Sequence, residues 1–173
     1  MQMRAAQRQD AEPIIRLRDE AAAWQKARQI AQWNPGEVSI EALESQIAAG
    51  DWWVLDDGAQ PGLRAAVRIV ETDPLVWEAP ADAGYIHGLV ISRDEAGLAL
   101  GARVLAWAED HIAGRGHTIA RLDCVLGNDR LRKYYQDQGY LERGETRFPP
   151  TIGWRPVMRF EKLLPKPPEV VVR

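Results

Sequence analysis

The chemistry-bearing residues of this 173-residue chain fall into two tracts. In the first, Tyr85-Ile86-His87-Gly88-Leu89-Val90-Ile91 runs through Ser92-Arg93-Asp94-Glu95 into Ala96-Gly97-Leu98-Ala99-Leu100-Gly101-Ala102, so that a strand, a tight turn and a helix follow in succession. The first N–H groups of a helix lack internal acceptors, and their dipoles favour a phosphate without requiring a lysine. Gly97 and Gly101 permit close backbone approach, while Arg93 and Arg103 are candidates for added charge or for a solvent face. An ordinary strand-to-helix turn has the same composition. The closer glycine spacing of the dinucleotide fingerprint and the lysine-serine/threonine ending of the Walker motif are both missing.

The second tract, Leu122-Asp123-Cys124-Val125-Leu126-Gly127-Asn128, leads through Tyr134-Tyr135 to Gly139-Tyr140. Asn128 can cap the helix that follows, and the tyrosines can pack on it or offer phenols. Cys124 sits in an apolar strand and reads as a buried small side chain in preference to a nucleophile. A strand period of two sets His87 on the face of Leu89 and Ile91, where the imidazole either reaches a cleft or is buried with them. His87, His111, His117 and Cys124 form no short metal-ligand pattern, and no metal is expected.

The elements that position these residues can be read from periodicity and punctuation. Met3–Gln7 forms a short strand; Asp10 caps a helix with Ile14, Leu17, Ala21 and Trp24 on one face; Ser39 caps a second helix bearing Leu43 and Ile47, stopped by Gly50. Trp52–Leu55, a turn at Asp56-Asp57-Gly58, and Ala65–Ile69 read as a hairpin. After the turn-rich 80–84 segment come the strand Tyr85–Ile91, a helix with Val104, Leu105, Ala108 and Ile112, the strand at 119–125 and a helix from Asn128 towards Gln138. The closing tract GWRPVMRFEKL reads as an edge strand, with Pro156 unsuited to a central ladder. Residues 1–163 thus form one domain, an α/β fold with a mixed central sheet flanked by helices, and 164–173 a proline-bearing tail.

Composition narrows the function classes. A net charge of −3 leaves no basic excess for a nucleic-acid backbone, and no apolar stretch approaches the length of a membrane span. The N-terminus lacks the apolar core of a secretory signal, so a cytoplasmic location is expected. Of the seven tryptophans, Trp24, Trp33, Trp52 and Trp53 lie in the first third of the chain; most are expected to pack in the core, some to line a cleft.

The segment ISRDEAGLALGARVLAWAE resembles the coenzyme A-binding motif of the GCN5-related N-acetyltransferases (GNAT). There a glutamine or arginine, two arbitrary residues, a glycine, one residue, then glycine or alanine wrap the pyrophosphate. The matching positions are Ala96, Ala99 and Gly101, so alanine replaces both the leading polar residue and the first glycine. The tract LDCVLGNDRLRKYYQDQGYLERG is similar to the family's second constellation, and the likeness extends over about residues 3–163. The resemblance implies the GNAT-like acyl-CoA N-acyltransferase fold, a mixed, curved central sheet flanked by helices in which the fourth and fifth strands splay apart to admit pantetheine.

It also implies roles. Acetyl-coenzyme A would lie against Leu89, Val90 and Ile91, whose backbone would polarise the acetyl carbonyl, and against Ala96, Gly97, Leu98, Ala99, Leu100, Gly101 and Ala102 at its pyrophosphate. Asn128 would contact the pantetheine arm. Tyr135, preferred over its competitor Tyr134 by counting to Gly139-Tyr140, would deliver a proton to the departing thiolate. Many members carry a basic glutamate on the fourth strand; here the run offers His87, leaving His87, water or a nearby carboxylate as base. Glu71, Asp73, Glu78 and Asp82 precede that strand, and Glu20, Trp24 and Trp33 lie on the early helical region, surroundings that suit a cationic amine with an apolar portion. The implied reaction is acetyl transfer to a primary amine, of a small molecule or a peptide, by direct attack. The alternative is an acyl-CoA-binding regulatory module with little or no transferase activity. No nucleic-acid or membrane partner is expected, and a homodimer is left open.

Overall fold

The computed structural model describes residues 2–56, 62–79 and 81–165. Part of the expected turn at Asp57-Gly58, Pro80, and the tail from Lys166 onward lie outside the described residues. The elements are β1 (Met3–Ala5), α1 (Ala11–Ala27), α2 (Ile40–Ala48), β2 (Trp52–Leu55), β3 (Ala65–Val70), β4 (Ala83–Ile91), α3 (Leu100–Gly114), β5 (Ile119–Val125), α4 (Asp129–Asp137), β6 (Leu141–Thr146) and β7 (Val157–Leu163). They build a seven-stranded sheet in the order β1-β2-β3-β4-β5-β7-β6. Only β4 and β5 run parallel; every other neighbouring pair is antiparallel.

Helices cover both faces. On one, Leu100, Val104, Leu105, Ala108 and Ile112 of α3 pack against Val67, Ile69, Ile86, Leu122, Cys124 and Phe160, with Leu131, Tyr134 and Tyr135 of α4 at the margin. On the other, Ile14, Leu17 and Ala21 of α1 and Leu43 and Ile47 of α2 cover Trp52, Val54, Ala66 and Val90. Each large side chain so buried contributes about 1.5–3 kcal/mol. Gly84 lets α3 seat on the parallel pair, because a Cβ there would stand 2.6 Å from Ile112 Cγ1.

The caps divide. Ser39 Oγ accepts from the Ala42 amide at 3.2 Å and Asn128 Oδ1 from the Leu131 amide at 3.2 Å, as expected of N-caps. Asp10 does not cap α1: its carboxylate turns back to the Gln7 amide at 2.7 Å and to Arg4 at 2.7 Å, fastening β1 to the helix instead. The closing strand also departs from expectation. β7 lies inside the sheet between β5 and β6, and the edge is β6, a strand whose mostly exposed, polar sequence LERGET has no apolar alternation to announce it. Pro156 precedes β7 and so costs its ladder nothing. Leu164, first residue of the segment set apart as a tail, is buried, and its amide donates to Thr118 O at 2.8 Å.

Candidate active site

A cleft of about 430 Å³ opens between β4 and β5, bounded by α3, α4 and the connection from α1 to α2. Its cause is local. The parallel ladder runs over Ala83–Tyr85 against Ile119–Arg121, and beyond Tyr85 the β5 side of β4 has no strand partner among the described residues. On the β3 side the register shifts by one residue between Ala66, opposite Val90, and Arg68, opposite His87. Val67 therefore faces both Gly88 and Leu89. Gly88 takes the left-handed φ of 56° that this bulge requires, and a Cβ there would meet Trp52 Cη2 at 2.9 Å.

The bulge corrects the expected face of His87. Leu89 and Ile91 pack with Ile86 against the α3 cluster, whereas His87 points to the opposite face, into the gap. There its Nε2 lies 3.3 Å from Asp73 Oδ2 and its Nδ1 3.8 Å from Asp123 Oδ2. Asp73 Oδ2 is buried and makes no hydrogen bond of good geometry. Asp123 faces the cleft, and burial, aided by the negative charge of Asp73 and opposed by His87, pushes its carboxyl up to about 6. Asp123 was not singled out from the sequence. The signal was there in IARLDCV, where an acid sits on a buried strand and alternation places it opposite Leu122 and Cys124. One ligand atom from each of Asp73, His87 and Asp123 lies within 4.8 Å of the others, a set that can hold a cation and that sequence spacing could not reveal.

The other acids go elsewhere. Glu71 and Asp82 bind the His117 ring at 2.5 Å and 2.9 Å, and Glu20 and Glu78 are exposed. Of the early aromatics, Trp24 and Trp33 line the cleft; Arg93 also lines it, its guanidinium stacked 3.9 Å from the Trp24 ring centre. Arg103 is exposed.

At the far end of the cleft, Ala99 takes φ 54°, ψ 17° immediately before α3, the conformation usually given to glycine. The amides of Gly97, Ala99, Leu100, Gly101 and Ala102 donate to no acceptor among the described residues, whereas Ala96 and Leu98 are engaged with Arg93 O and Glu95 O. These free donors at a helix N-terminus form a cradle suited to a pyrophosphate. Gly101 keeps its surface open, with the Tyr134 hydroxyl 3.5 Å from where a Cβ would lie.

Both tyrosines line the cleft, their ring centres 5.6 Å apart, so adjacency on the helix does not send them to opposite faces. The Tyr134 hydroxyl stands by Gly101. Tyr135 stacks against Tyr140 and Phe160 at 6.0 Å and 5.5 Å. Burial first, then the neighbouring Cys124 and Asp123, hold its phenol well above the ordinary tyrosine range. Cys124 is buried, and the same desolvation pushes its thiol up to about 12, which disfavours a thiolate nucleophile. Asn128 has a second partner that sequence reading missed: its Nδ2 donates to Gln32 Oε1 at 3.1 Å, and the Val125 amide donates to the same oxygen at 3.3 Å. Gln32 thus straps the α1–α2 connection across the end of β5.

Among the described residues no helix is long and apolar enough to cross a membrane. The model of the Acetyltransferase (GNAT) family matches residues 16–140. Over 141 residues the chain is 35% identical to the uncharacterized N-acetyltransferase YesJ of Bacillus subtilis (strain 168), covering 76% of this chain and 77% of that protein. A GNAT-family acetyltransferase structure from Listeria monocytogenes superposes with a TM-score of 0.78 at 24% identity, over 94% of each chain. The structure of yncA from Salmonella typhimurium with its cofactor acetyl-CoA gives 0.69 at 12% identity, over 100% of this chain and 99% of that one. These structures share the fold of the chain, and the family match over most of its length together with the 35% identical relative shows that the chain belongs to the GNAT family of acetyltransferases.

Proposed function

We propose that this protein transfers an acetyl group from acetyl-coenzyme A to a primary amine by direct attack, with His87 as the base. The observation that carries this reading is the placing of His87, between two carboxylates, at the mouth of the β4–β5 gap whose other end is ringed by free amides. The Gly97–Ala102 amides fit the coenzyme A pyrophosphate, and the partnerless edge of β4 from Leu89 to Ile91 fits the pantetheine arm and the acetyl carbonyl. Asn128 can join them once its Nδ2 is released from Gln32 Oε1.

An amine reaches the cleft as an ammonium ion, attracted by Asp123. His87 takes its proton, directly or through one water, and Asp73 steadies the imidazolium that forms. Main-chain N–H groups of β4 stabilise the oxygen as it gains negative charge. Tyr135, which keeps its proton at every working pH, donates a hydrogen bond to the departing sulfur, its raised pKa favouring this over complete proton transfer. The second proton shed by the nitrogen as the intermediate collapses passes to the thiolate, which leaves as coenzyme A thiol. The inert Cys124 supports direct attack over an acetyl-enzyme.

Coenzyme A release over a panel of primary amines, paired with calorimetric titration of acetyl-coenzyme A, tests the reading. Saturable binding with turnover on at least one amine is expected. No saturation up to about 1 mM, the upper end of ordinary substrate constants, removes it. Binding without turnover on any amine points to a regulatory module.

A further inference from the structure

The connection from α1 to α2 is tied across the cleft through one side chain. Most of its hydrogen bonds run back to α1 or stay local: the Ile30 amide donates to Gln25 O at 3.0 Å, the Trp33 amide to Gln25 Oε1 at 3.3 Å and the Gly36 amide to Asp19 Oδ1 at 2.9 Å. Among the described residues, the hydrogen bonds that cross to the β5–α4 side both end on Gln32 Oε1, from the Val125 amide at 3.3 Å and from Asn128 Nδ2 at 3.1 Å. The chain reaches this place through Gln29, which takes a left-handed φ of 58°, a conformation usually given to glycine.

Both donors are aimed by the elements that carry them. At the end of β5 successive amides turn to opposite sides: that of Leu126 donates to Pro156 O at 2.9 Å beside β7, so that of Val125 turns to the side where β4 has parted. Asn128 Oδ1 is committed to the Leu131 amide as the cap of α4, which fixes the plane of the carboxamide and sends Nδ2 toward Gln32. Two N–H groups from separate elements thus converge on one point beside the β4–β5 gap, a place that suits a carbonyl oxygen with its two lone pairs. The oxygen held there belongs to an amide, that of Gln32.

We propose that the Gln32 carboxamide is an internal competitor of the pantetheine arm: Gln32 Oε1 and an amide carbonyl of the arm take the same place between Val125 and Asn128, so that cofactor binding unlatches the α1–α2 connection. The arm carries two amide carbonyls and, in the proposed acetyl transfer on which this inference rests, lies along the same gap. The Val125 amide has one hydrogen and serves one acceptor at a time, so strap and arm exclude each other there. Exchanging one amide acceptor for another keeps both donors bonded in either state, which lets the latch open without leaving a buried group unpaired. Ile30 and Trp33 flank Gln32 and line the cleft with it, so releasing the strap frees the wall on the acceptor side. A ligand with the nucleotide and no amide arm leaves the latch shut.

The test is calorimetric titration of the full chain, Gln32→Ala and Gln32→Met with two ligands: coenzyme A, and its phosphoadenosine diphosphate moiety alone, which keeps the pyrophosphate and lacks the arm. Gln32→Met keeps the length of the side chain without its amide oxygen. Each variant is first shown to be folded by its cooperative thermal transition. Both variants bind coenzyme A about three- to tenfold more tightly than the parent, because two competing hydrogen bonds are gone, while affinity for the nucleotide moiety changes by less than about twofold. Unchanged or weaker coenzyme A binding in either folded variant, or equal tightening of both ligands, overturns the latch and leaves the transferase reading in place. Failure of both variants to fold makes Gln32 a structural brace and also overturns it. Coenzyme A that binds neither parent nor variants removes the transferase reading and the latch with it, whereas binding by the variants alone supports the latch.

Discussion

The Nδ1 of His87 lies 3.8 Å from Asp123 Oδ2 across the gap where β4 and β5 have ceased to pair. On the other side of the ring Asp73 Oδ2 approaches Nε2 to 3.3 Å. An imidazole held this way can accept a proton and have the resulting charge stabilised at once. His87→Gln is therefore expected to lower turnover by about 10²-fold or more and to abolish the fall in rate on the acid side that protonating a catalytic base produces, with acetyl-coenzyme A affinity changed far less. Saturating kinetics from pH 5 to 9 check this. A variant keeping both the rate and the pH profile of the parent leaves the proton to water or to Asp123.

Asp123 is held at a cost. Its carboxyl is raised from 3.8 to about 6, so the native state keeps the proton longer than the unfolded chain does. The stability penalty is absent below the unfolded value of 3.8, grows as pH rises, and is complete above about 6. At 1.36 kcal/mol per pH unit the full penalty is at most about 3 kcal/mol. Asp123→Asn should thus be more stable than the parent at pH 8, no more stable near pH 3.5, and slower in acetyl transfer. Urea unfolding at both pH values reads the first part, and equal stabilities at pH 8 would contradict it.

Tyr135→Phe keeps the ring that stacks on Tyr140 and Phe160 and removes the donor. Loss of a hydrogen bond made mainly as sulfur acquires charge should lower kcat more than it raises the acetyl-coenzyme A dissociation constant, by roughly 10-fold to 10²-fold. Tyr134→Phe, at the Gly101 end, should act more on coenzyme A affinity. Single-turnover rates and calorimetry separate the two; the reverse pattern would exchange the roles.

Ala99 pays for its left-handed backbone. Ala99→Gly should stabilise the fold by about 1 kcal/mol and bind coenzyme A at least as tightly, since the free amides keep their directions. Gly101→Val should weaken coenzyme A binding, because the added methyls crowd the Tyr134 hydroxyl and Ile91 and shield the cradle. Thermal unfolding and titration of both variants test the cradle itself.

Far from the cleft, His117 joins the α3–β5 connection to Glu71 and Asp82. Burial works to lower its pKa, but hydrogen bonds and the charges of these two acids outweigh it, so the value is raised. Its stabilisation is present in full below the unfolded value near 6.5 and is lost as pH rises through the folded value. His117→Gln should lower the melting temperature at pH 6 and change it little at pH 9.

Much of the frame was legible because it depends on local periodicity. The α1 stripe of Ile14, Leu17 and Ala21, the α3 stripe from Leu100 to Ile112, and the caps Ser39 and Asn128 follow from spacing and residue type alone. So did the phosphate-like turn, whose free amides result from starting a helix straight after a strand. β6 was not legible: an edge strand of charged residues owes its form to the backbone of β7, which a hydrophobicity pattern cannot display. The face of His87 was misread because a period of two holds only while the ladder is regular, and one extra residue at Gly88 reverses every side chain beyond it. The meeting of Asp73, His87 and Asp123 and the Gln32 strap join positions far apart in the chain. Their distances are set by how two strands part and how α1 lies across the gap, which are properties of the packed sheet and of no single segment.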